Sequence, residues 1–76
     1  MARAYIFVKA SSGEAEPLLD AVRGQEYVTE AHVVAGDFDL IVEAEAPEVA
    51  DILQSAGNAI RGIDGVADTR TYVCLE

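Results

Sequence analysis

Two short segments combine charged and hydroxyl side chains that could bind a small zwitterion. The first, GDFDLIV at 36–42, carries Asp37 and Asp39 just before an apolar run, and the second, DTRTYV at 68–73, carries two threonines and an arginine. Carboxylates pair with an ammonium group, whereas an arginine or a backbone N–H pairs with a carboxylate. Together the two segments hold both kinds of charge needed to bind an amino acid.

The two aspartates differ in how easily a purely structural role accounts for them. Asp37 follows Gly36, and a Gly-Asp pair is an ordinary turn signal. Asp39 is predicted to lie inside a strand, where aspartate is uncommon, and to share a face with Asp37. A carboxylate held there needs a donor, either a ligand ammonium or a backbone N–H. Asp39 is therefore the stronger candidate for a binding role.

Other kinds of site find little support in the sequence. Two carboxylates are few for a calcium site, and one histidine with one cysteine leaves a transition metal short of ligands. His32 is expected at the sheet surface or at an interface, and no partner at a suitable spacing would make it a general base. Cys74 is expected to be an inert thiol in an apolar strand. We predict no metal, no cofactor and no catalytic activity.

The charge balance argues against one class of partner. Fourteen acidic and five basic side chains give a formal net charge of −9, which repels phosphate backbones, so direct nucleic-acid binding is not expected. Such a surface also suits a high-salt cytoplasm, and both a halophilic source and an ordinary acidic protein stay open. The sequence shows no signal peptide and no apolar run of membrane-spanning length, so a cytoplasmic protein without membrane partners is expected.

The hydrophobic pattern predicts four strands and two helices in the order β-α-β-β-α-β. The strands are predicted at 4–10, 27–35, 38–46 and 66–75, and the helices at 11–24 and 47–62. Ser11 and Glu14 are expected to form a capping box, Pro47 to open the second helix, and a Gly-Asp break to form a tight hairpin. This order predicts one α+β domain (1–76) of the ferredoxin-like class, with a four-stranded antiparallel sheet and both helices on one face.

The sheet is expected to carry apolar side chains on both faces. In the first strand Ala4, Ile6 and Val8 alternate with Tyr5 and Phe7. An exposed apolar face marks an interface, and a chain of 76 residues buries too little surface to be more than marginally stable as a monomer. We therefore predict dimerisation through the sheet.

The chain resembles the C-terminal effector domain of the Lrp/AsnC family of transcription regulators, also called the RAM domain. The resemblance runs from about Tyr5 to Glu76 and is most specific in AHVVAGDFDLIV (31–42) and GVADTRTYV (65–73). It implies dimers that pair through their sheets and assemble into rings such as octamers, with amino acids bound between dimers. Full-length members also carry a DNA-binding domain, so this chain is expected to be a stand-alone effector module that assembles with itself or with full-length relatives.

The resemblance also implies a set of residues that line the ligand cleft. Carried over by position, these are Gly36, Asp37, Asp39, Thr69, Thr71, Tyr72 and Val73. The hairpin members would meet the polar end of the ligand, the threonines would add hydrogen bonds, and the last two would shape the pocket or its oligomer contacts; the role of Arg70 is left open. Two alternatives remain, a structural hetero-oligomerisation subunit without a ligand and a small dimeric ferredoxin-like enzyme.

Overall fold

The structure has the predicted order of elements, β-α-β-β-α-β. The computed structural model describes residues 1–75, with the backbone alone at residue 55. The strands are β1 (Ala2–Ala10), β2 (Val28–Val33), β3 (Leu40–Ala46) and β4 (Val66–Val73). The helices are α1 (Glu16–Arg23) and α2 (49–61), in which a π-helical stretch, Ile52–Gly57, lies between α-helical turns at Val49–Asp51 and Asn58–Arg61. All strand pairs are antiparallel, in the spatial order β2-β3-β1-β4, which confirms the ferredoxin-like plan.

One face of the sheet carries the core. Ile6 in the central strand β1 is fully buried and pairs with Val42 of β3 and Thr71 of β4, so these positions share the face against which the helices pack. Small and branched apolar side chains fill the space between sheet and helices. The buried apolar residues are Ala4, Ile6, Val8, Ala10, Ala15, Leu18, Val22, Ala31, Leu40, Val42, Ala44, Ala46, Ile52, Ala56 and Ile60.

The opposite face of the sheet, here termed the open face, is mixed in character. Its side chains are half-buried or exposed, and include Tyr5, Phe7, Ile41, Glu43, Arg70 and Tyr72. Tyr5 pairs with Tyr72 and Phe7 pairs with Arg70 across β1 and β4. Tyr72 is 55% exposed although it is large and aromatic. The predicted alternation is confirmed, because the aromatic side chains of β1 and β4 lie away from the core.

Helix α1 begins later than the sequence pattern suggested. It starts at Glu16 after Ala15, and no side chain caps it, so the expected capping box between Ser11 and Glu14 is wrong. Proline is tolerated only in the first helical turn. A helix that began after Ser11 would have placed Pro17 beyond that turn, whereas in the structure Pro17 lies at its start.

Helix α2 also departs from the expected regular helix. It begins at Val49 rather than at Pro47, and its middle is π-helical. Ile52, Ala56 and Ile60 lie four residues apart and are buried, whereas Val49 and Leu53, which share the same periodic pattern, are 42% and 46% exposed. A π-helix is wider than an α-helix, so it changes which residues share a face. No helix in residues 1–75 is long and apolar enough to cross a membrane.

The connection between β2 and β3 is a loop of residues 34–39 rather than a tight two-residue turn. The second strand ends at Val33 and the third begins at Leu40, so each is shorter than predicted, and the fourth ends at Val73 rather than at residue 75. Asp39 therefore lies immediately before β3 and not within it. The expectation of a strand aspartate is wrong, because Asp39 is the last residue of the loop.

Candidate functional site

Asp39 fastens the 34–39 loop to the end of β1. Its carboxylate Oδ2 accepts a hydrogen bond of 2.8 Å from the backbone N–H of Ala10, and its own N–H donates to the carbonyl of Val8 at 2.9 Å. Its carbonyl accepts a third bond from the N–H of Val34 at 2.9 Å. The donor that a carboxylate at this position requires is thus a backbone N–H of the same chain.

Asp37 is held differently from Asp39. Its carbonyl accepts a hydrogen bond of 3.0 Å from Lys9 Nζ, whereas its side chain is exposed at the tip of the loop beside the exposed Gly36. The lysine fixes the backbone of the loop and adds a positive charge near it. The carboxylate of Asp37 is accessible to an external donor in a way that the carboxylate of Asp39 is not.

Phe38 folds onto the open face and builds one wall of a groove. Its ring meets Phe7 edge to face, with 5.8 Å between centroids, and Phe7 meets Tyr72 at 5.5 Å. The Arg70 guanidinium carbon lies 5.8 Å from the Phe38 centroid, within the range of a cation–π contact. The resulting groove of about 480 Å³, the hairpin groove, is lined by Phe7, Val34, Ala35, Gly36, Asp37, Phe38, Ile41, Arg70 and Tyr72.

The threonines of β4 lie on the other side of the sheet, against α2. Thr69 is only 6% exposed, and its Oγ1 accepts a hydrogen bond of 3.3 Å from Arg61 Nε. Thr71, two residues on, faces the same way and is half-buried. A second groove of about 310 Å³, the α2 groove, is lined by Leu53, Gln54, Gly57, Asn58, Arg61, Thr69 and Thr71.

The residues expected to form one cleft are thus divided between two places in the chain. The hairpin groove brings together Gly36, Asp37 and Tyr72, and the α2 groove brings together Thr69 and Thr71. The remaining two members of the set line neither groove: Asp39 is bonded to Ala10, and Val73 is half-buried against the core. The division follows from strand geometry, because neighbouring residues of a strand point to opposite faces.

Sequence reasoning missed the side chains that α2 contributes. Gln54, Asn58 and Arg61 recur at spacings of four and three residues, which places them along one side of a helix. That spacing was available in the sequence as a polar stripe beside the apolar one. Only the apolar residues of the segment entered the prediction, and Arg70 was the one arginine considered for binding.

His32 and the acidic residues form no enclosed reactive cluster in residues 1–75. His32 lies on the edge strand β2, with its side chain 62% exposed and its Nε2 3.1 Å from Glu30 Oε1. No group of three or more His, Cys, Asp or Glu side chains converges as a metal site in that part of the chain. Cys74 is half-buried after β4. His32 thus has no second reactive group beside it in an enclosed pocket.

Two ionisable groups of residues 1–75 have perturbed pKa values. The carboxylate of Glu45, whose Oε2 lies 3.4 Å from Arg3 Nε, raises the pKa of Arg3 above its ordinary value. The negative charges of Glu26 and then Asp51, together with burial, raise the pKa of Tyr27. Tyr27 also has a left-handed backbone, with φ of 74°. Both shifts arise from the surplus of acidic side chains rather than from a reactive pair.

The comparison with known proteins points to one family. A model of the Lrp/AsnC ligand binding domain matches residues 3–76. The leucine-responsive regulatory protein of Klebsiella pneumoniae is 36% identical over 61 residues, which make up 80% of this chain and 37% of that protein. The chain therefore spans little more than a third of the length of this curated relative.

Solved structures share the fold. A protein from Thermus thermophilus superimposes with a TM-score of 0.90 at 21% identity, over 100% of this chain and 95% of that one. A transcriptional regulator from Neisseria meningitidis, solved as a complex with L-Met, gives a TM-score of 0.74 at 18% identity, over 99% of this chain and 50% of that one. At these identities the likeness establishes the architecture.

Proposed function

Since the chain belongs to the Lrp/AsnC ligand binding domain family, we propose that it is an amino-acid-binding regulatory domain whose ligand lies between chains of an oligomer. The observation that carries this proposal is the division of the expected ligand residues. Asp37 lines a groove on the open face, and Thr71 lines a groove on the helix face of the same sheet. Because the sheet backbone separates the two, an amino acid that contacts both has to take them from two chains.

The open face supports pairing of two chains through their sheets. It presents Tyr72, Phe7 and Ile41 beside charged side chains, and Tyr72 is more than half exposed. Apolar area of this kind on a small domain is normally covered by a partner. Pairing would bury the aromatic cluster and leave the helices and the α2 groove on the outside, available for contacts between dimers and for assembly into rings.

The comparisons support the ligand class. The Neisseria meningitidis regulator was solved with L-Met, and the Klebsiella pneumoniae relative is named for its response to leucine. We extend this to the present chain as a small amino acid bound in the cytoplasm. Ligand binding at a shared site favours the assembled state by mass action, and this linkage would control transcription through assembly with itself or with full-length relatives.

Isothermal titration calorimetry against each proteinogenic amino acid, with particle size followed by light scattering, tests the proposal. We expect heat of binding for at least one amino acid, together with a change in the distribution of oligomers. Absence of binding by every amino acid, with an unchanged oligomer size, would rule the proposal out.

Mixing two defective variants tests whether the site is shared. Asp37→Ala removes a side chain of the hairpin groove, and Thr71→Val removes a hydroxyl of the α2 groove. Each variant alone should bind weakly, whereas a co-refolded mixture should regain a fraction of wild-type sites, because some interfaces combine two intact halves. A mixture that binds no better than either variant would place the site within one chain.

The internal hydrogen bond of Asp39 favours a second candidate function, a hetero-oligomerisation subunit that binds no ligand. In that case the aspartates of the 34–39 loop would have only a structural role, in which Asp39 holds the loop before β3 to the end of β1. Asp37→Ala separates the two candidates, because the Asp37 carboxylate has no structural bond to lose in the described chain. A sensor should lose ligand affinity while it keeps its stability, and a structural subunit should show no ligand effect in either form.

A further inference from the structure

The α2 groove has an unusual charge for this chain. Four other grooves of the described chain each include at least one carboxylate among their lining side chains, namely Glu45, Glu14 with Glu16, Glu30, or Asp37. The α2 groove is lined by one cation, Arg61, and by no acidic residue of that part of the chain. In a protein of net charge −9, a groove that presents a cation and no carboxylate among its lining residues is favourable for an anion.

Arg61 is positioned by one hydrogen bond and keeps most of its donors. Its Nε donates to the buried Oγ1 of Thr69 at 3.3 Å. Neither of the ion pairs formed within residues 1–75, Arg3 with Glu45 and His32 with Glu30, involves it. A guanidinium anchored through Nε presents its two terminal nitrogens side by side, which suits a carboxylate.

Amide and hydroxyl groups surround this cation. Gln54 and Asn58 precede Arg61 on the same side of α2, and Thr71 faces them from β4. These side chains can both donate and accept hydrogen bonds. Leu53, which is 46% exposed, adds an apolar wall. The groove therefore offers a fixed positive charge, adaptable polar partners and a small apolar surface.

Gly57 leaves space between α2 and β4. A Cβ atom at this position would lie 3.5 Å from the Ile52 carbonyl oxygen and 3.8 Å from Thr71 Oγ1. These are ordinary contact distances, so a methyl group fits but occupies part of the groove. The π-helical stretch ends at Gly57, where the wider turn approaches the strand.

We propose that the α2 groove is the subsite that binds the carboxylate of the ligand, with Arg61 as its cation and Gln54, Asn58 and Thr71 as hydrogen-bonding partners. The assignment of the ligand as an amino acid rests on the function proposed above, whereas the preference of the groove for a carboxylate rests on its own lining. Arg70 is not this cation, because it lies on the opposite face over Phe38. The 34–39 loop of a neighbouring chain, with Asp37, would then contact the ammonium group of the ligand.

Titration of isotope-labelled protein with sodium acetate, followed by amide NMR, tests the subsite without a known ligand. Acetate should shift the backbone amides of Gly57, Asn58 and Thr71 saturably, and sodium chloride at the same ionic strength should not. Arg61→Gln should weaken this binding about 10- to 100-fold, as expected for the loss of a charge-assisted pair. Arg61→Lys keeps the charge but lacks the planar fork, so it should fall between wild type and Arg61→Gln.

Arg23→Gln is the matched control. Arg23 also lies in the last turn of a helix and donates one hydrogen bond, from Nη2 to the carbonyl of Ala31 at 2.9 Å. The two variants change the net charge equally, so only Arg61→Gln should lose the acetate shifts. Equal loss in both variants, or unchanged binding by Arg61→Gln, would overturn the proposal.

Two further measurements distinguish failure of the carboxylate subsite from failure of the proposed amino-acid-binding function. Inorganic phosphate that binds at the same amides as tightly as acetate would overturn the carboxylate assignment in favour of an unselective anion site. An amino acid that binds in calorimetry but leaves the amides of 54–61 and Thr71 unshifted would overturn the subsite while the proposed function stands. If acetate binds and no amino acid does, the subsite stands and the proposed function fails.

Discussion

The carboxylate of Asp39 accepts a hydrogen bond of 2.8 Å from the backbone N–H of Ala10. The same residue donates its N–H to the Val8 carbonyl, so one aspartate continues the β1–β3 pairing beyond the last regular pair, Val8 with Leu40. This position also directs the loop so that Phe38 reaches Phe7 on the open face. Asp39, which the sequence indicated as a ligand-binding residue, therefore has a structural role: its hydrogen bonds hold the loop that forms one wall of the hairpin groove.

Asp39→Ala should destabilise the fold by about 1–3 kcal/mol, because the partly buried Ala10 N–H loses its acceptor. Urea unfolding followed by circular dichroism measures the change. Asp37→Ala is the control, since its exposed carboxylate makes no structural bond in the described chain and its loss should stay within about 0.5 kcal/mol. Equal effects of the two substitutions would contradict the assigned role of Asp39.

Tyr72→Glu should shift the protein towards monomer, because it places a charge within the aromatic cluster that pairing would bury. Sedimentation equilibrium measures the change in the dimer dissociation constant. Val49→Glu introduces the same charge at an exposed apolar residue of α2 and should leave the dimer intact. A dimer that is indifferent to Tyr72→Glu and weakened by Val49→Glu would place the interface on the helix face instead.

Gly57→Ala should raise stability by about 0.5–1 kcal/mol, because its backbone is helical, with φ of −60°, and the added methyl meets only ordinary contacts. The same variant should weaken carboxylate binding in the α2 groove. Gly65→Ala should do the opposite to stability: its φ is +99° and the new Cβ would lie 3.0 Å from Leu18 Cδ2, so a loss of about 1–2 kcal/mol or more is expected. Thermal unfolding compares the two, and a destabilised Gly57→Ala would contradict the geometry of α2.

Tyr27 should lose its proton at a higher pH than an ordinary tyrosine, because Glu26, then Asp51 and burial, raise its pKa. The folded state then holds the phenol proton more tightly than the unfolded state. Its contribution to stability is full below the ordinary pKa of 10.0 and is lost as the pH rises through the raised value. Absorbance of tyrosinate during an alkaline titration, with Tyr27→Phe to assign the step, measures the shift. Glu26→Gln should lower the pKa of this tyrosine, and an unchanged titration would contradict the electrostatic cause.

The fold could be predicted from residue patterns because alternation and element order are local properties. The alternation of β1 predicts that Ile6 and Phe7 lie on opposite faces of the sheet, and the structure places Ile6 in the core and Phe7 on the open face. The same alternation along β4 places Thr71 on the helix face of the sheet and Tyr72 on the open face. The expected ligand cleft includes both residues, and since they lie on opposite faces of one sheet, a cleft that contains both has to combine two chains.

What the sequence did not show depends on contacts between distant segments. The acceptor role of Asp39 toward Ala10 requires the register of β1 against β3, which residue types near Asp39 do not specify. The π-helical turn in α2 likewise has no simple signal in the sequence, and within it Leu53 is exposed while Ile52 is buried. The start of α1 was a different kind of error, since Pro17 already excluded a helix that begins at Ser11.

Sedimentation velocity of the wild-type protein with each proteinogenic amino acid tests most directly whether ligand binding drives assembly. It measures the size of the oligomer as a function of the ligand concentration. We expect at least one amino acid to move the boundary to a larger sedimentation coefficient in a saturable way, and Arg61→Gln to raise the concentration required. Sedimentation that stays the same for every amino acid, up to concentrations well above those found in cells, would contradict assembly driven by ligand binding.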